Sequence, residues 1–173
     1  LFLYLTLVFI LVTIIGTVTH ELGHYTVAKY YKLNPSIDYG STYWNNPSNL
    51  NYNQTNIIIA GPLETIITGC IGFLLLLIFK KNNSNNKLIY WVLIFLSLFW
   101  LRQVANFAMW IGIYFLQGQF TTQNDEVQLD IYFGLPIGTI LFISAFIGLI
   151  ISFIVIFKFI PASIRITFIT SGI

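Results

Sequence analysis

Long apolar runs separated by short polar stretches set the pattern of this chain. Four of them, residues 1–19, 57–79, 88–116 and 134–160, reach the length at which a helix crosses a bilayer core, roughly 20 residues. Backbone N–H and C=O groups find no water there, so a run of this kind satisfies them internally as a helix. The pattern predicts an all-α integral membrane protein with about four transmembrane helices. The first helix is expected to continue past Thr19 to about Tyr31, because no stop signal precedes Asn34-Pro35. Residues 1–19 have the apolar character of a signal peptide. They lack a basic leading segment and a small-residue cleavage site and run straight into a polar motif, so they are read as retained.

The connections carry loop chemistry. Residues 34–56 are rich in Asn, Ser, Tyr and Gly and include Pro35, Gly40 and Pro47. Within them Ile37 and Tyr39 alternate with polar neighbours, which allows a small β-hairpin after the first helix. The second helix starts near Ile57 and meets Gly61-Pro62 one turn in, where proline is tolerated. Residues 80–87 form a polar, basic turn. The third run is long enough for one tilted helix, or for two short segments meeting at Arg102-Gln103. Residues 117–132 read as a polar stretch holding Asp125, Glu126 and Asp130. The fourth helix follows Gly134-Leu135-Pro136, and a short tail follows Pro161. No repeat or soluble domain interrupts this order, so residues 1–173 are read as one membrane-embedded domain.

Composition sharpens the picture. Only 8% of residues are charged, against about 25% in soluble domains, too few to cover a water-facing surface. A net charge of +2 lacks the basic footprint of a nucleic-acid partner. The single cysteine, Cys70, excludes an intrachain disulfide and is read as a small core or lipid-facing residue.

The chemistry is concentrated at His20-Glu21-Leu22-Gly23-His24, which contains both histidines of the chain. On a helix, residues four apart lie about 40° from one another around the axis and one turn apart along it. Two imidazoles so placed can grip one ion, whereas their bland reading is an interfacial pair at the membrane surface. Glu21, turned about 100° from His20, stands beside the ligands within reach of a metal-activated water. Gly23 keeps the facing surface small enough for substrate or another helix to approach.

Zinc suits two neutral imidazoles and a carboxylate, and keeps a fourth position open. It acidifies water and polarises a peptide carbonyl, leaving Glu21 to act as general base and then general acid. The carboxylates available as third ligand are Asp38, Glu64, Asp125, Glu126 and Asp130. If each apolar run crosses once, His20, His24, Asp125, Glu126 and Asp130 emerge on one side. A split third run would send the acidic cluster to the other side.

The HExxH motif closing the first helix, Ala60-Gly61-Pro62-Leu63 opening the second, and Asn124-Asp125-Glu126 followed by Gly134-Leu135-Pro136 together resemble the site-2 protease group of intramembrane zinc metalloproteases. The similarity is closest to the short branch without a PDZ domain and spans about residues 12–136. The family's fuller Asn-Pro-x-Pro-x-x-x-Leu-Asp-Gly signature is absent. The resemblance implies zinc held by His20, His24 and Asp125, catalysis by Glu21, and membrane-spanning protein substrates. It also implies a small sheet within residues 32–44 that offers an edge to an unwound substrate strand.

Glu64 and Arg102 lie inside apolar runs, where ionisable groups are costly and usually face a partner. A structural pair or hydrogen-bond network between them, with Asn106 one turn from Arg102, is the expectation, with a substrate-positioning role as the alternative. Trp44, Trp91, Trp100 and Trp110 are read as interface or core residues. Lys80, Lys81, Lys87, Lys158 and Arg165 outnumber Lys29 and Lys32 on the motif side, which by charge places the first group in the cytoplasm; the resemblance implies the reverse. A non-enzymatic membrane escort of the same fold and a small polytopic transporter are the alternative functions.

Overall fold

The computed structural model describes residues 1–45, 53–81 and 86–172. Pro47 and the centre of the basic turn, residues 82–85, lie outside the described residues, as do the side chains of Lys80 and Lys81.

The fold is helical with one small hairpin. Helix α1 (Phe2–Tyr30) is followed by β1 (Ser36–Asp38) and β2 (Ser41–Tyr43). Helices α2 (Gln54–Lys81), α3 (Lys87–Ser97), α4 (Leu101–Gln117), α5 (Asp125–Phe133), α6 (Thr139–Phe159) and α7 (Ala162–Ser171) complete the order. Four stretches are long and apolar enough to cross a membrane: Phe2–Tyr30, Gln54–Phe79, Lys87–Gln117 and Thr139–Phe159. Their outer faces expose large apolar side chains, among them Leu11, Leu74, Phe146 and Phe153. Water would penalise such a surface, whereas lipid does not.

Helix α1 ends where the chain turns through Lys32, at φ 59°, and Leu33 N–H closes back onto the Ala28 carbonyl. The chain then enters the hairpin, whose strands pair antiparallel with Ile37 opposite Thr42. Helix α2 runs through Pro62 without ending. Proline removes one N–H from the ladder, and its neighbour Gly61 gives that turn of α2 its use at the site below.

The third stretch is a single passage from α3 to α4, joined by a 3₁₀ turn at Leu98–Trp100 rather than a break at Arg102-Gln103. Residues Leu98, Phe99 and Trp100 are all buried, so the tightened turn is fixed by packing. At one end of the molecule Leu5 of α1, Leu76 of α2, Leu93 of α3 and Phe159 of α6 share one cluster. The end of α1, the start of α2, the end of α4 and the start of α6 therefore lie toward the other end, as the single-crossing pattern expects.

Two helices were not legible as such. The stretch expected to be polar connection contains α5, whose buried residues include Val127 and Leu129 as well as the carboxylates of Glu126 and Asp130. Acidic residues on a buried face disguise it. Asp130 starts α6, accepting from Gly138 N–H at 2.7 Å and from Ile140 N–H at 2.9 Å. The expected tail after Pro161 is α7, which turns back onto α1 and seats Phe168 between Phe9 and Phe95, with ring centroids at 5.0 and 5.8 Å. Ten residues are too few to register as a span but enough to bury one aromatic anchor.

The expected Glu64–Arg102 pair does not form. Glu64 Oε1 accepts from Thr68 of its own helix at 2.9 Å, in a groove also lined by Thr19, Gly23 and Leu63. Arg102 instead donates to Thr17 Oγ1 at 3.2 Å. Thr17 and Gly23 are six residues apart on α1, roughly 120° around its axis, so the two ionisable groups approach different faces of that helix.

Candidate metal centre

The geometry of the site begins with α1. His20, Glu21 and His24 are buried although α1 is the least buried of the four long apolar stretches. They are covered by α2, α5 and the hairpin. Gly23 permits the closest part of that packing: a Cβ there would meet the Ala60 carbonyl oxygen at 2.6 Å. The expected close approach at Gly23 is thus made by another helix.

Each imidazole is held through Nδ1. His24 Nδ1 lies 2.7 Å from the Ile57 carbonyl, which can only accept, so Nδ1 carries the proton. His20 Nδ1 lies 3.0 Å from Thr65 Oγ1, and that hydroxyl donates onward to the Gly61 carbonyl at 3.3 Å. The Thr65 hydroxyl therefore accepts from His20, and His20 also carries its proton on Nδ1. In the neutral rings this leaves both Nε2 lone pairs facing inward.

The two Nε2 atoms lie 3.2 Å apart, and Asp125 Oδ2 lies 3.1 Å from one and 3.2 Å from the other. Three lone-pair-bearing atoms converging this closely repel unless a cation or proton stands among them. Three ligands at zinc distances of about 2.0–2.1 Å in a tetrahedron would be roughly 3.3 Å apart, close to what is seen. The donor set, two imidazoles and one carboxylate, fits zinc equally well. Gly61 supplies the space: a Cβ at this position would fall onto the Nε2 atoms of both histidines.

Asp125 is presented by the first turn of α5, with Asn124 extended immediately before it. Burial alone pushes the Asp125 carboxyl up. When the rings are protonated, hydrogen bonding from His20 and His24 and the charge they then carry outweigh this and hold it at about 2. A proton shared with the imidazoles and a metal ion are competitors for the same place.

Glu21 is 5% exposed and does not join the three. Its Oε2 accepts from Thr42 Oγ1 of β2 at 2.9 Å, and the same hydroxyl lies 3.0 Å from the Glu21 carbonyl oxygen. The hairpin thereby reaches the carboxylate beside the converging trio. A cavity of about 330 Å³ opens here, bounded by the three converging residues, Glu21, the hairpin from Gly40 to Thr42, Arg102 and Asn106. Gln123, Asn124 and Gln128 add polar walls that water can wet.

The other acidic residues serve elsewhere. Asp130 starts α6 as described, and Asp38 sits exposed on β1. Glu126 lines the cavity, 2% exposed, but stands outside the converging trio. Burial first, and then the charge of Asp125, push the Glu126 carboxyl up, opposed by the charge of Arg102. Thr65, Thr42 and the Ile57 carbonyl were not singled out by sequence reasoning. Thr65 had a signal, standing one turn beyond Gly61 in the noted Ala-Gly-Pro segment; Thr42 and a backbone carbonyl had none.

Compared with known proteins, the chain matches no family model, and no curated protein or solved structure is similar to it.

Proposed function

We propose that this chain is a multi-pass integral membrane zinc metallopeptidase that hydrolyses peptide bonds of membrane-spanning protein substrates. The observation that carries the reading is the convergence of His20 Nε2, His24 Nε2 and Asp125 Oδ2 beside the buried carboxylate of Glu21. The bilayer is its first partner, accommodated by four apolar helices.

Zinc, when bound, polarises a peptide carbonyl and acidifies water. The protein's own residues do the rest. Thr65 and the Ile57 carbonyl fix the imidazoles so that Nε2 of each faces the ion. Glu21 takes a proton from the attacking water and gives it to the leaving nitrogen as the C–N bond breaks. Thr42 keeps the Glu21 carboxylate in one orientation through both transfers. His24 lies six residues before the end of α1, roughly 9 Å along the axis, and the reaction draws its water from the polar cavity beside it. Among the described residues the hairpin strands pair only with each other, which leaves their outer edges for an unwound substrate segment to pair on.

The test is cleavage of a membrane-helix peptide by the purified full chain in detergent micelles. Wild-type protein is expected to cleave it and to stop when zinc is chelated. Glu21→Gln is expected to retain zinc and lose at least about 10²-fold in rate, the contribution of a general base. Cleavage by Glu21→Gln at the wild-type rate would contradict the reading.

A further inference from the structure

We infer that Arg102 is a further catalytic residue, whose guanidinium stabilises the oxyanion that forms when a peptide carbonyl is attacked at the metal centre. The inference rests on the metallopeptidase reading above.

Arg102 sits in the first turn of α4, within a stretch apolar enough to span a membrane. A cation there is expensive and is ordinarily neutralised by a carboxylate. Among the described residues Arg102 forms no ion pair and donates from Nη1 to the neutral hydroxyl of Thr17. Its Nε is shielded from solvent with no hydrogen-bond partner. A guanidinium has five N–H donors, so most of its capacity is unused.

Its position sets those donors at the border of the proposed chemistry. Thr17 precedes His20 by three residues, which makes the two neighbours on one face of α1, about 5–6 Å apart at Cβ. Arg102 also lines the cavity that contains Glu21, His20, His24 and Asp125. It equally borders an adjoining apolar cleft of about 400 Å³ that includes Phe95, Phe99 and Met109. A peptide with one side chain in the cleft and its carbonyl in the metal cavity passes the guanidinium at the boundary.

The electron count gives Arg102 its role. Water oxygen forms a bond to the carbonyl carbon, and the C=O π pair moves onto the carbonyl oxygen, which becomes an anion. Glu21 accepts the proton lost by the water. On collapse the C=O bond reforms, the C–N bond breaks, and the nitrogen takes the electron pair and the proton from Glu21. Negative charge on the carbonyl oxygen exists only between these two events. A preorganised cation in a low-dielectric site favours that state over the neutral peptide, which is the condition for catalysis rather than mere binding.

The test uses two probes on cobalt-loaded full-length protein in micelles, read by the visible spectrum of the metal. N-phosphoryl-leucinamide presents a tetrahedral oxyanion, whereas acetohydroxamate chelates the metal with a planar group. Arg102→Gln is expected to keep one cobalt per chain, to weaken the phosphoramidate about 10–100-fold, the range of a lost charged hydrogen bond, and to change acetohydroxamate by no more than about twofold. Arg102→Lys is expected to fall between, keeping charge but losing the fork. Unchanged phosphoramidate affinity in cobalt-loaded Arg102→Gln would overturn the role of Arg102 and leave the metal centre standing. Equal weakening of both probes would also overturn it, placing the effect in the metal site itself. Failure of wild-type protein to take up cobalt would instead remove the metallopeptidase reading, and this inference with it.

Discussion

Thr42 on the hairpin holds the Glu21 carboxylate, with Oγ1 2.9 Å from Oε2. The contact joins the residue expected to move protons to the strand expected to receive substrate, across 21 positions of sequence. Thr42→Val keeps the shape of the side chain and removes its O–H. A hydrogen bond to a charged group contributes about 1.5–3 kcal/mol, so peptide cleavage should fall about tenfold or more with zinc content unchanged. Thr42→Ser should recover most of the rate. Equal rates in all three proteins would show that the hairpin does not orient the base.

Asp125, Glu126 and Asp130 should respond differently to substitution. Asp125→Ala should lose most of its bound zinc, because one of three ligand atoms is gone. Glu126→Gln and Asp130→Asn should keep it. Asp130→Ala should instead lower the melting temperature, since two backbone N–H groups at the start of α6 lose their acceptor, at a cost of about 1–2 kcal/mol. Metal analysis beside a thermal melt of each variant separates these outcomes. Retained zinc in Asp125→Ala would move the third ligand elsewhere.

Gly61 should be as sensitive as a ligand. An alanine methyl would occupy the space of both Nε2 atoms, so Gly61→Ala should abolish zinc binding while helix content, followed by circular dichroism, stays near wild type. Normal zinc uptake by this variant would mean the imidazoles sit elsewhere.

The long apolar runs made the membrane-scale helices readable, because hydrocarbon leaves a backbone no other choice over that length. Their crossing pattern also placed the acidic cluster at the end where the HExxH motif lies. Within that cluster, periodicity left Asp125 level with Glu126 and Asp130. What separates them in the structure is long-range: Asp130 is taken by the backbone of α6, and Glu126 lines the cavity outside the converging trio. Helix α5 was hidden because its inward face carries carboxylates, which read as a solvated loop. The Glu64–Arg102 pairing failed for a related reason, since depth along two helices says nothing of the face each residue takes. Thr65 and the Ile57 carbonyl act only through the folded contact of α1 with α2, so no spacing rule reaches them.

The proposed metal centre holds one zinc ion through His20, His24 and Asp125 and not through Glu21. It is tested most directly by the zinc content of the purified full chain and of its His24→Ala and Glu21→Gln variants. One zinc per chain in the wild type and in Glu21→Gln, with near-complete loss in His24→Ala, is the expected result. Zinc that is absent from the wild type, or that survives undiminished in His24→Ala, would contradict the account.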